Sequence, residues 1–176
     1  MNIKDLIVLP NLITLLRFFS AISLFIFFEP EEFNPVFLII IIAAIGLSDS
    51  LDGMVARRYN LVTKLGTILD PFTDRTVFVL LLFWMSNILN KSFVYSIIAR
   101  EILILFGSIH VLLTKKVIKV SNKGKLATVL LFIIICLFIL NTLIEVPFLN
   151  EFSYIVIFFY FYVAFEYLYN LVFNSG

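Results

Sequence analysis

The sequence predicts an all-α polytopic membrane protein with six transmembrane helices and both termini in the cytoplasm. Of its 176 residues, 62% are hydrophobic and 21 are Phe, well beyond the usual share in a soluble globular domain. Apolar runs recur at the length of about 20 residues that one helical bilayer crossing needs. Little chain is left between them, so residues 1–176 are predicted to form a single membrane domain.

The predicted helices follow these apolar runs in chain order. The first run comes after a polar start, retains Arg17 and has no small-residue cleavage site, so it is predicted to be a retained helix rather than a signal peptide. The predicted spans are 8–28, 34–57, 66–89, 93–114, 126–144 and 152–173.

The connections between the spans differ in charge from one side to the other. With a cytoplasmic N-terminus, nine basic residues lie on the cytoplasmic side and only Lys91 on the opposite side, where the acidic segments 29–32 and 145–151 also fall. The basic side suits anionic headgroups or phosphorylated substrates, and a net charge of only +1 gives no indication of nucleic-acid binding. The nine residues are Lys4, Arg57, Arg58, Lys64, Lys115, Lys116, Lys119, Lys123 and Lys125.

Four aspartates interrupt the second and third apolar runs at helical spacings. Asp49 and Asp52 are three residues apart, and Asp70 and Asp74 are four apart, so each pair shares one helix face. Carboxylates are expensive beside lipid, which makes this regularity an indication of chemistry. A short connection makes the two helices antiparallel neighbours, so the pairs are expected to line a polar cavity open to the cytoplasm. Oxygen ligands without Cys or His favour Mg²⁺ or Mn²⁺.

Other residues of this pattern have physical uses of their own. Gly53 and Ala56 let a ligand approach the helix backbone closely, and Arg57 offers a permanent forked cation to a diphosphate. Pro71 removes a backbone donor inside the third span and would free a carbonyl there. The alternatives are that one aspartate pair is a solvated helix end and that Gly53 and Ala56 are helix-packing positions.

The complete pattern resembles the signature of the CDP-alcohol phosphatidyltransferase family, with every motif position filled. The resemblance implies a six-helix, commonly dimeric membrane fold in the cytoplasmic membrane, with its active site facing the cytoplasm and with CDP-diacylglycerol and an alcohol as substrates. The positions that carry it are Asp49, Asp52, Gly53, Ala56, Arg57, Gly66, Asp70 and Asp74.

The resemblance also implies roles for individual residues. Two divalent cations would be held by Asp49, Asp52, Asp70 and Asp74, and Asp74 would also be the general base. The CDP-diacylglycerol contacts would be Asn11, Thr14, Asp52, Gly53, Ala56, Arg57 and Thr63.

The acceptor alcohol is indicated by two further segments. Arg100 in the fourth span and Lys125 at the start of the fifth resemble the acceptor pocket of the phosphatidylglycerophosphate synthases of this family, where basic residues bind the phosphate of glycerol 3-phosphate. Ala127 stands where those synthases often have a second Lys, which keeps cardiolipin synthesis from phosphatidylglycerol as an alternative. The alternative to acceptor binding by Arg100 is a purely structural role in an internal salt bridge to Glu101. The alternative for Lys125 is that it is one of the positive charges that hold the cytoplasmic side of the protein in place.

A function of another class, a cation or proton transporter, would also place aspartates inside a membrane. A transporter needs a polar path through both halves of the bilayer, whereas these acids lie near one face and only Glu166 stands apart. His110 is predicted to be a packed helix residue, and Cys136 to face lipid or the core. The sequence thus favours an enzyme that makes phosphatidylglycerophosphate from CDP-diacylglycerol and glycerol 3-phosphate.

Overall fold

The computed structural model describes residues 9–58, 66–114 and 122–173, and within these ranges the chain is entirely helical apart from its turns. The predicted all-α class is confirmed for this part of the chain. The contacts divide the chain after Met85 into two compact units. The α-helices are α1 Leu9–Phe27, α2 Pro35–Arg58, α3 Gly66–Trp84, α4 Lys91–Thr114, α5 Asn122–Leu140 and α6 Leu149–Phe173.

In the first unit, α1 packs against both α2 and α3. A short 3-10 turn, Pro30–Glu32, joins α1 to α2, and Pro35 opens α2 at the helix position where the missing amide hydrogen costs nothing. The Asn34 side-chain oxygen accepts a hydrogen bond from the Val36 amide at 2.9 Å, which caps the new helix. The buried apolar core of this unit comprises Ala21, Leu38, Ile42, Val77, Leu81, Leu82, Trp84 and Met85.

An aromatic cluster joins the last turn of α3 to the chain that follows α1. The Trp84 indole Nε1 donates a hydrogen bond to the Phe28 carbonyl oxygen at 2.8 Å. The Phe33 ring meets Trp84 edge-on at 6.0 Å between centroids and lies 5.8 Å from the Phe28 ring. A buried indole N–H needs a partner, so this bond fixes the distance between the two helix ends.

In the second unit, α6 packs against both α4 and α5. Asn90 caps α4, because its side-chain oxygen accepts from the Ser92 amide at 2.9 Å. Its amide nitrogen also donates to the Asn150 side-chain oxygen at 3.0 Å, which ties the start of α4 to the first turn of α6. The buried core includes Phe93, Ile97, Leu131, Ile134, Ile139, Tyr160, Val163 and Ala164.

The turn between α5 and α6 begins earlier than the apolar pattern predicts. The helix ends at Leu140, although the predicted fifth span continues to residue 144. The Asn141 side-chain oxygen accepts from the Val146 amide at 2.8 Å, and Phe148 adopts a left-handed φ of 57° just before α6. Local hydrogen bonding, which hydropathy does not measure, therefore sets this boundary.

Two segments in the described part of the chain are long and apolar enough to cross a membrane, namely Asn122–Leu140 and Leu149–Asn170. Shorter apolar segments occupy Asn11–Phe27 and Pro35–Ser48. Large apolar side chains are exposed along the helices, as for Phe27 and Phe158, which are 73% and 77% accessible. Such surfaces suit contact with lipid. The six-span topology and the cytoplasmic position of both termini stay predictions.

Candidate functional site

The interface between α1 and α3 carries polar side chains in an otherwise apolar unit. On α1, Asn11, Thr14 and Arg17 follow one another at intervals of three and are at most 4% exposed. Residues at that spacing lie along one side of a helix. We call the whole set the α1–α3 polar stripe, and it consists of Asn11, Thr14, Arg17, Asp70, Thr73 and Asp74.

Two contacts across the interface join the stripe. The Thr14 hydroxyl donates to Asp70 Oδ1 at 3.3 Å, and one turn further along, Arg17 Nη2 forms an ion pair with Asp74 Oδ1. Thr73 is buried and donates its hydroxyl to the Asp70 carbonyl oxygen at 3.1 Å. Thr14, which the resemblance places near the nucleotide, therefore touches Asp70, which it assigns to a metal.

The two ends of the Arg17–Asp74 pair differ in exposure. The Arg17 side chain is 3% exposed and the Asp74 side chain 32%. The arginine end is thus enclosed between the helices, whereas the carboxylate end reaches accessible space, where a substrate or a cation can approach it.

The remaining motif residues lie on α2 or outside the described residues. The α2 backbone runs unbroken through Asp49, Asp52, Gly53, Ala56 and Arg57, which confirms that this segment is one helix. The side chains of residues 49–58 lie outside the described part of the structure, and residues 59–65, including Thr63, lie outside it altogether.

A divalent cation fits the donors that the stripe offers. Asp70 and Asp74 lie one turn apart on α3 and contribute only oxygen atoms, the ligands that Mg²⁺ and Mn²⁺ prefer. Among the described side chains, no group of three or more His, Cys, Asp or Glu residues is gathered in one place. The other two predicted ligands, Asp49 and Asp52, are not among those side chains, so the four-carboxylate cluster stays a prediction.

A second polar cluster lies in the other unit, between α4 and α6. Arg100 Nη1 donates to Glu101 Oε1 at 2.6 Å and to the Tyr160 hydroxyl at 3.2 Å. The Tyr160 hydroxyl donates to the same Glu101 oxygen at 2.7 Å, and the guanidinium lies 3.9 Å from the Tyr160 ring centroid. Glu101 and Tyr160 are only 5% and 4% exposed. The Arg100–Glu101 salt bridge, which is the structural alternative to an acceptor-binding role for Arg100, is therefore present.

One hydrogen-bond donor in this cluster has no partner among the described residues. Arg100 Nε is buried, and no described residue accepts a hydrogen bond from it. Buried donors are rarely left without a partner, so the atom points to a ligand or a water that would satisfy it.

The basic residues at the start of α5 are placed differently from Arg100. Lys125 is exposed. Lys123 Nζ lies 2.9 Å from both carboxylate oxygens of Glu166 and 5.5 Å from the Tyr162 ring centroid. Glu166, the acid that stands apart in the sequence, is thus the ion-pair partner of Lys123 on the neighbouring helix.

Sequence reasoning assigned no role to Arg17 or Tyr160, and it considered Glu101 only as the salt-bridge partner of Arg100. Arg17 could have been found from the cost of a charge inside an apolar helix, which demands a partner. Its identity as the partner of Asp74 could not, because that depends on which faces of α1 and α3 meet. Tyr160 gives no such indication, since the sixth apolar run is rich in aromatic residues.

The fold and the stripe define a helical, largely apolar protein with partly accessible carboxylates at a helix interface, as in membrane enzymes. The chain belongs to the CDP-alcohol phosphatidyltransferase family, whose model matches residues 7–168 and so includes α1 through most of α6. It is accordingly a CDP-diacylglycerol-dependent phosphatidyltransferase, an enzyme of phospholipid biosynthesis from a family that uses divalent metal ions. This assignment supports the enzyme over the transporter alternative.

Curated relatives fall into two activities. A CDP-diacylglycerol--glycerol-3-phosphate 3-phosphatidyltransferase of Aquifex aeolicus is 32% identical over 148 residues, or 82% of this chain and 78% of that protein. The protein of the same name from Escherichia coli is 29% identical over 101 residues, 54% of this chain and 56% of its own length. A CMP-forming cardiolipin synthase of Streptomyces coelicolor is 35% identical over 71 residues, 38% of this chain and 33% of that protein.

Proposed function

We propose that the protein transfers a phosphatidyl group from CDP-diacylglycerol to glycerol 3-phosphate, which releases CMP and forms phosphatidylglycerophosphate. The observation that carries the proposal is the similarity to the Aquifex protein, which extends over 82% of this chain, whereas the similarity to the Streptomyces cardiolipin synthase covers 38% of this chain and that to a putative cardiolipin synthase of Mycobacterium bovis covers 68%. The family membership supplies the donor and the reaction type.

The motif carboxylates are proposed to bind the donor diphosphate through divalent cations. Asp70 and Asp74, with Asp49 and Asp52 from α2, would hold two Mg²⁺ or Mn²⁺ ions, which when bound neutralise diphosphate charge and make CMP a better leaving group. Thr14 supports this location, because its hydroxyl already lies 3.3 Å from Asp70 Oδ1. Asn11 is buried one turn earlier on the same side of α1. The remaining CDP contacts are proposed to be Asp52, Gly53, Ala56, Arg57 and Thr63.

The reaction is a displacement at phosphorus. Asp74 accepts the proton of the acceptor hydroxyl, the freed oxygen forms a bond to the phosphorus that bears diacylglycerol, and the bond from that phosphorus to the CMP oxygen breaks. A base for this step has to be accessible to substrate, and the 32% exposure of the Asp74 side chain supports that role.

Arg100 and Lys125 are proposed to bind the acceptor phosphate. The unsatisfied Nε of Arg100 supports its part, because a phosphate oxygen would accept the hydrogen bond that no described residue accepts. Glu101 and Tyr160 hold the guanidinium, with Tyr160 stacked beneath it. For Lys125, exposure leaves the ammonium accessible to a charged ligand.

Cardiolipin synthesis from phosphatidylglycerol is the second candidate. The observation that favours it is Ala127, which is fully buried, at 0% exposure, where the glycerol 3-phosphate enzymes often carry a second Lys. A lysine at this site would lie in the core of the second unit. Because residue 127 is alanine, this chain has one cation fewer than those enzymes for binding a dianionic acceptor.

The setting is proposed to be the cytoplasmic membrane, with the chain spanning it six times, the active site facing the cytoplasm and two copies forming a homodimer. The two membrane-length segments and the exposed apolar side chains support the lipid setting. The charge asymmetry of the connections supports the orientation.

An acceptor panel tests the proposal. Purified protein in detergent is given CDP-diacylglycerol and Mg²⁺, and CMP release is measured after addition of glycerol 3-phosphate, phosphatidylglycerol, serine or inositol phosphate. Release that depends on glycerol 3-phosphate supports the proposal, and release that depends only on phosphatidylglycerol establishes the second candidate instead.

A further inference from the structure

We propose that Arg17 is a positioning residue for the phosphatidyl transfer, whose guanidinium orients the Asp74 carboxylate from across the α1–α3 interface. The inference rests on the proposed role of Asp74 as the general base and adds a residue of α1 to the reaction. Its physical basis is the ion pair between Arg17 Nη2 and Asp74 Oδ1.

The burial of Arg17 makes this pair more than a surface contact. The residue is 4% exposed and lies in a helix whose other residues are mostly apolar. A guanidinium is permanently charged, and a buried charge persists only with an opposite charge close by. Separating Arg17 from Asp74 would therefore remove a close opposite charge, and the ion pair attaches the carboxylate to α1.

The surrounding packing fixes the arginine in turn. One turn beyond the pair, Ala21 on α1 and Val77 on α3 are buried at 1% and 3% exposure. One turn before it, Thr14 bonds Asp70. The arginine is thus enclosed between contacts on both sides, and Nη2 of its guanidinium contacts the Asp74 carboxylate from a fixed place on α1.

The competing interpretation is that Arg17 only ties α1 to α3. A tie would affect stability and leave the chemical step of the folded enzyme unchanged. A positioning residue affects the chemical step itself, because a misplaced base loses catalysis even when substrate binds normally. The two interpretations therefore predict different values of kcat for a folded Arg17 variant.

The kinetic test compares Arg17→Met and Arg17→Lys with the wild type and with Ser20→Met as control. Ser20 lies on α1 and is exposed, so its replacement should leave kcat unchanged. We expect Arg17→Met to lower kcat by at least ~10-fold with the KM for CDP-diacylglycerol within about threefold. Arg17→Lys should recover only part of kcat, because its ammonium restores the charge but is more strongly hydrated and more flexible than the guanidinium.

A second measurement does not depend on activity and needs no metal. The thermal midpoints of Arg17→Met, Asp74→Asn and the double variant are measured in EDTA. Asp74→Asn takes the opposite charge away from the buried guanidinium, so we expect it to lower the midpoint by about 5 °C or more. Arg17→Met takes the cation away from a carboxylate that is 32% exposed, so its loss should be smaller. The double variant should lose clearly less than the sum of the two.

The outcomes separate the inference from the proposed function. Unchanged kcat in folded Arg17→Met, a change confined to KM, full recovery of kcat by Arg17→Lys, or strictly additive midpoint losses would each overturn the positioning role. If Arg17→Met does not fold, Arg17→Lys still gives the kcat readout, and a cycle of Arg17→Lys, Asp74→Asn and their double variant gives the midpoint readout. A wild type that releases no CMP with any acceptor would contradict the proposed function, while the midpoints would still report on the ion pair.

Discussion

At the scale of single residues, the two described carboxylates of the motif are stabilised in different ways. Asp70 accepts a hydrogen bond from the neutral Thr14 hydroxyl, whereas Asp74 is paired with the buried charge of Arg17. In both cases a side chain of α1 contacts a carboxylate of α3, so α1 helps to hold the two proposed metal ligands in place.

Replacing Asp70 tests the metal role. Asp70→Asn should abolish CMP release while leaving a folded protein, because an amide is a much weaker ligand for Mg²⁺ than a carboxylate. Chelation with EDTA should give the same loss in the wild type and be reversed by added Mg²⁺. Glu31→Gln, which removes an exposed acid in the same unit, is the control and should retain activity. Turnover by Asp70→Asn at saturating Mg²⁺ would refute the metal assignment.

Replacing Asp74 separates the base from the other ligands. Asp74→Asn should reduce the rate of the chemical step at least ~10²-fold, the usual contribution of a general base. Much of the CDP-diacylglycerol affinity should persist, since Asp49, Asp52 and Asp70 remain. Single-turnover kinetics and a binding measurement on the same preparation give both quantities. If binding is lost along with turnover, Asp74 is chiefly a ligand and another group is the base.

Replacing Arg100 tests the acceptor site. Arg100→Gln should raise the KM for glycerol 3-phosphate about 10- to 150-fold, the equivalent of the roughly 1.5–3 kcal/mol of a charge-assisted hydrogen bond. The KM for CDP-diacylglycerol should change little.

The control for that experiment has to account for Glu101, which loses its ion-pair partner in the variant. The double variant Arg100→Gln with Glu101→Gln removes both charges, and Lys91→Gln removes an exposed cation from the same helix. A KM effect that disappears in the double variant would show that Arg100 serves the fold and not the acceptor.

Contacts between residues far apart in the chain could not be predicted from the sequence. Spacing alone indicated the aspartates, because a helix places residues three or four apart on one side. It could not pair Thr14 with Asp70 or Arg17 with Asp74, since these partners are 56 and 57 residues apart in the chain. The Arg100–Glu101 bridge was foreseeable from adjacency, whereas Tyr160, 60 residues away, was not.

At the scale of elements, the lengths of the apolar runs predicted the helix ends closely where polar residues flank the run. The second predicted span, 34–57, compares with α2 Pro35–Arg58, and the first, 8–28, with α1 Leu9–Phe27. The third and fifth predictions extend past the observed ends at Trp84 and Leu140. Two polar residues lie just beyond each helix end, but the apolar pairs Ile88–Leu89 and Leu143–Ile144 come next and led the predicted spans past the turns. The two polar pairs are Ser86–Asn87 and Asn141–Thr142.

The cap of α4 gives a prediction at this scale. Asn90→Ala removes both the bond to the Ser92 amide and the bond to Asn150, so it should destabilise the protein by about 1–2 kcal/mol, the usual value of a cap plus one exposed bond. Asn150→Ala removes only the second and should cost clearly less. Thermal midpoints of the two variants make the comparison, and equal losses would show that the cap contributes nothing.

At the scale of the whole molecule, the family model spans residues 7–168 and so includes helices of both compact units. The motif aspartates and the stripe lie in the first unit, and the Arg100 cluster lies in the second. Composition sufficed to predict the helical class, because so apolar a chain has few alternatives. The acceptor could not be settled in this way, since it depends on a few polar contacts that composition does not reveal.

The central claim is that this chain joins glycerol 3-phosphate to a phosphatidyl group through the aspartate motif. The most direct measurement is the incorporation of labelled glycerol 3-phosphate into lipid by purified protein with CDP-diacylglycerol and Mg²⁺, with Asp70→Asn in parallel. We predict a labelled product with the mass of phosphatidylglycerophosphate, CMP in equal amount, and neither with the variant. No label in lipid while phosphatidylglycerol is converted to cardiolipin, or equal labelling by Asp70→Asn, would contradict the claim.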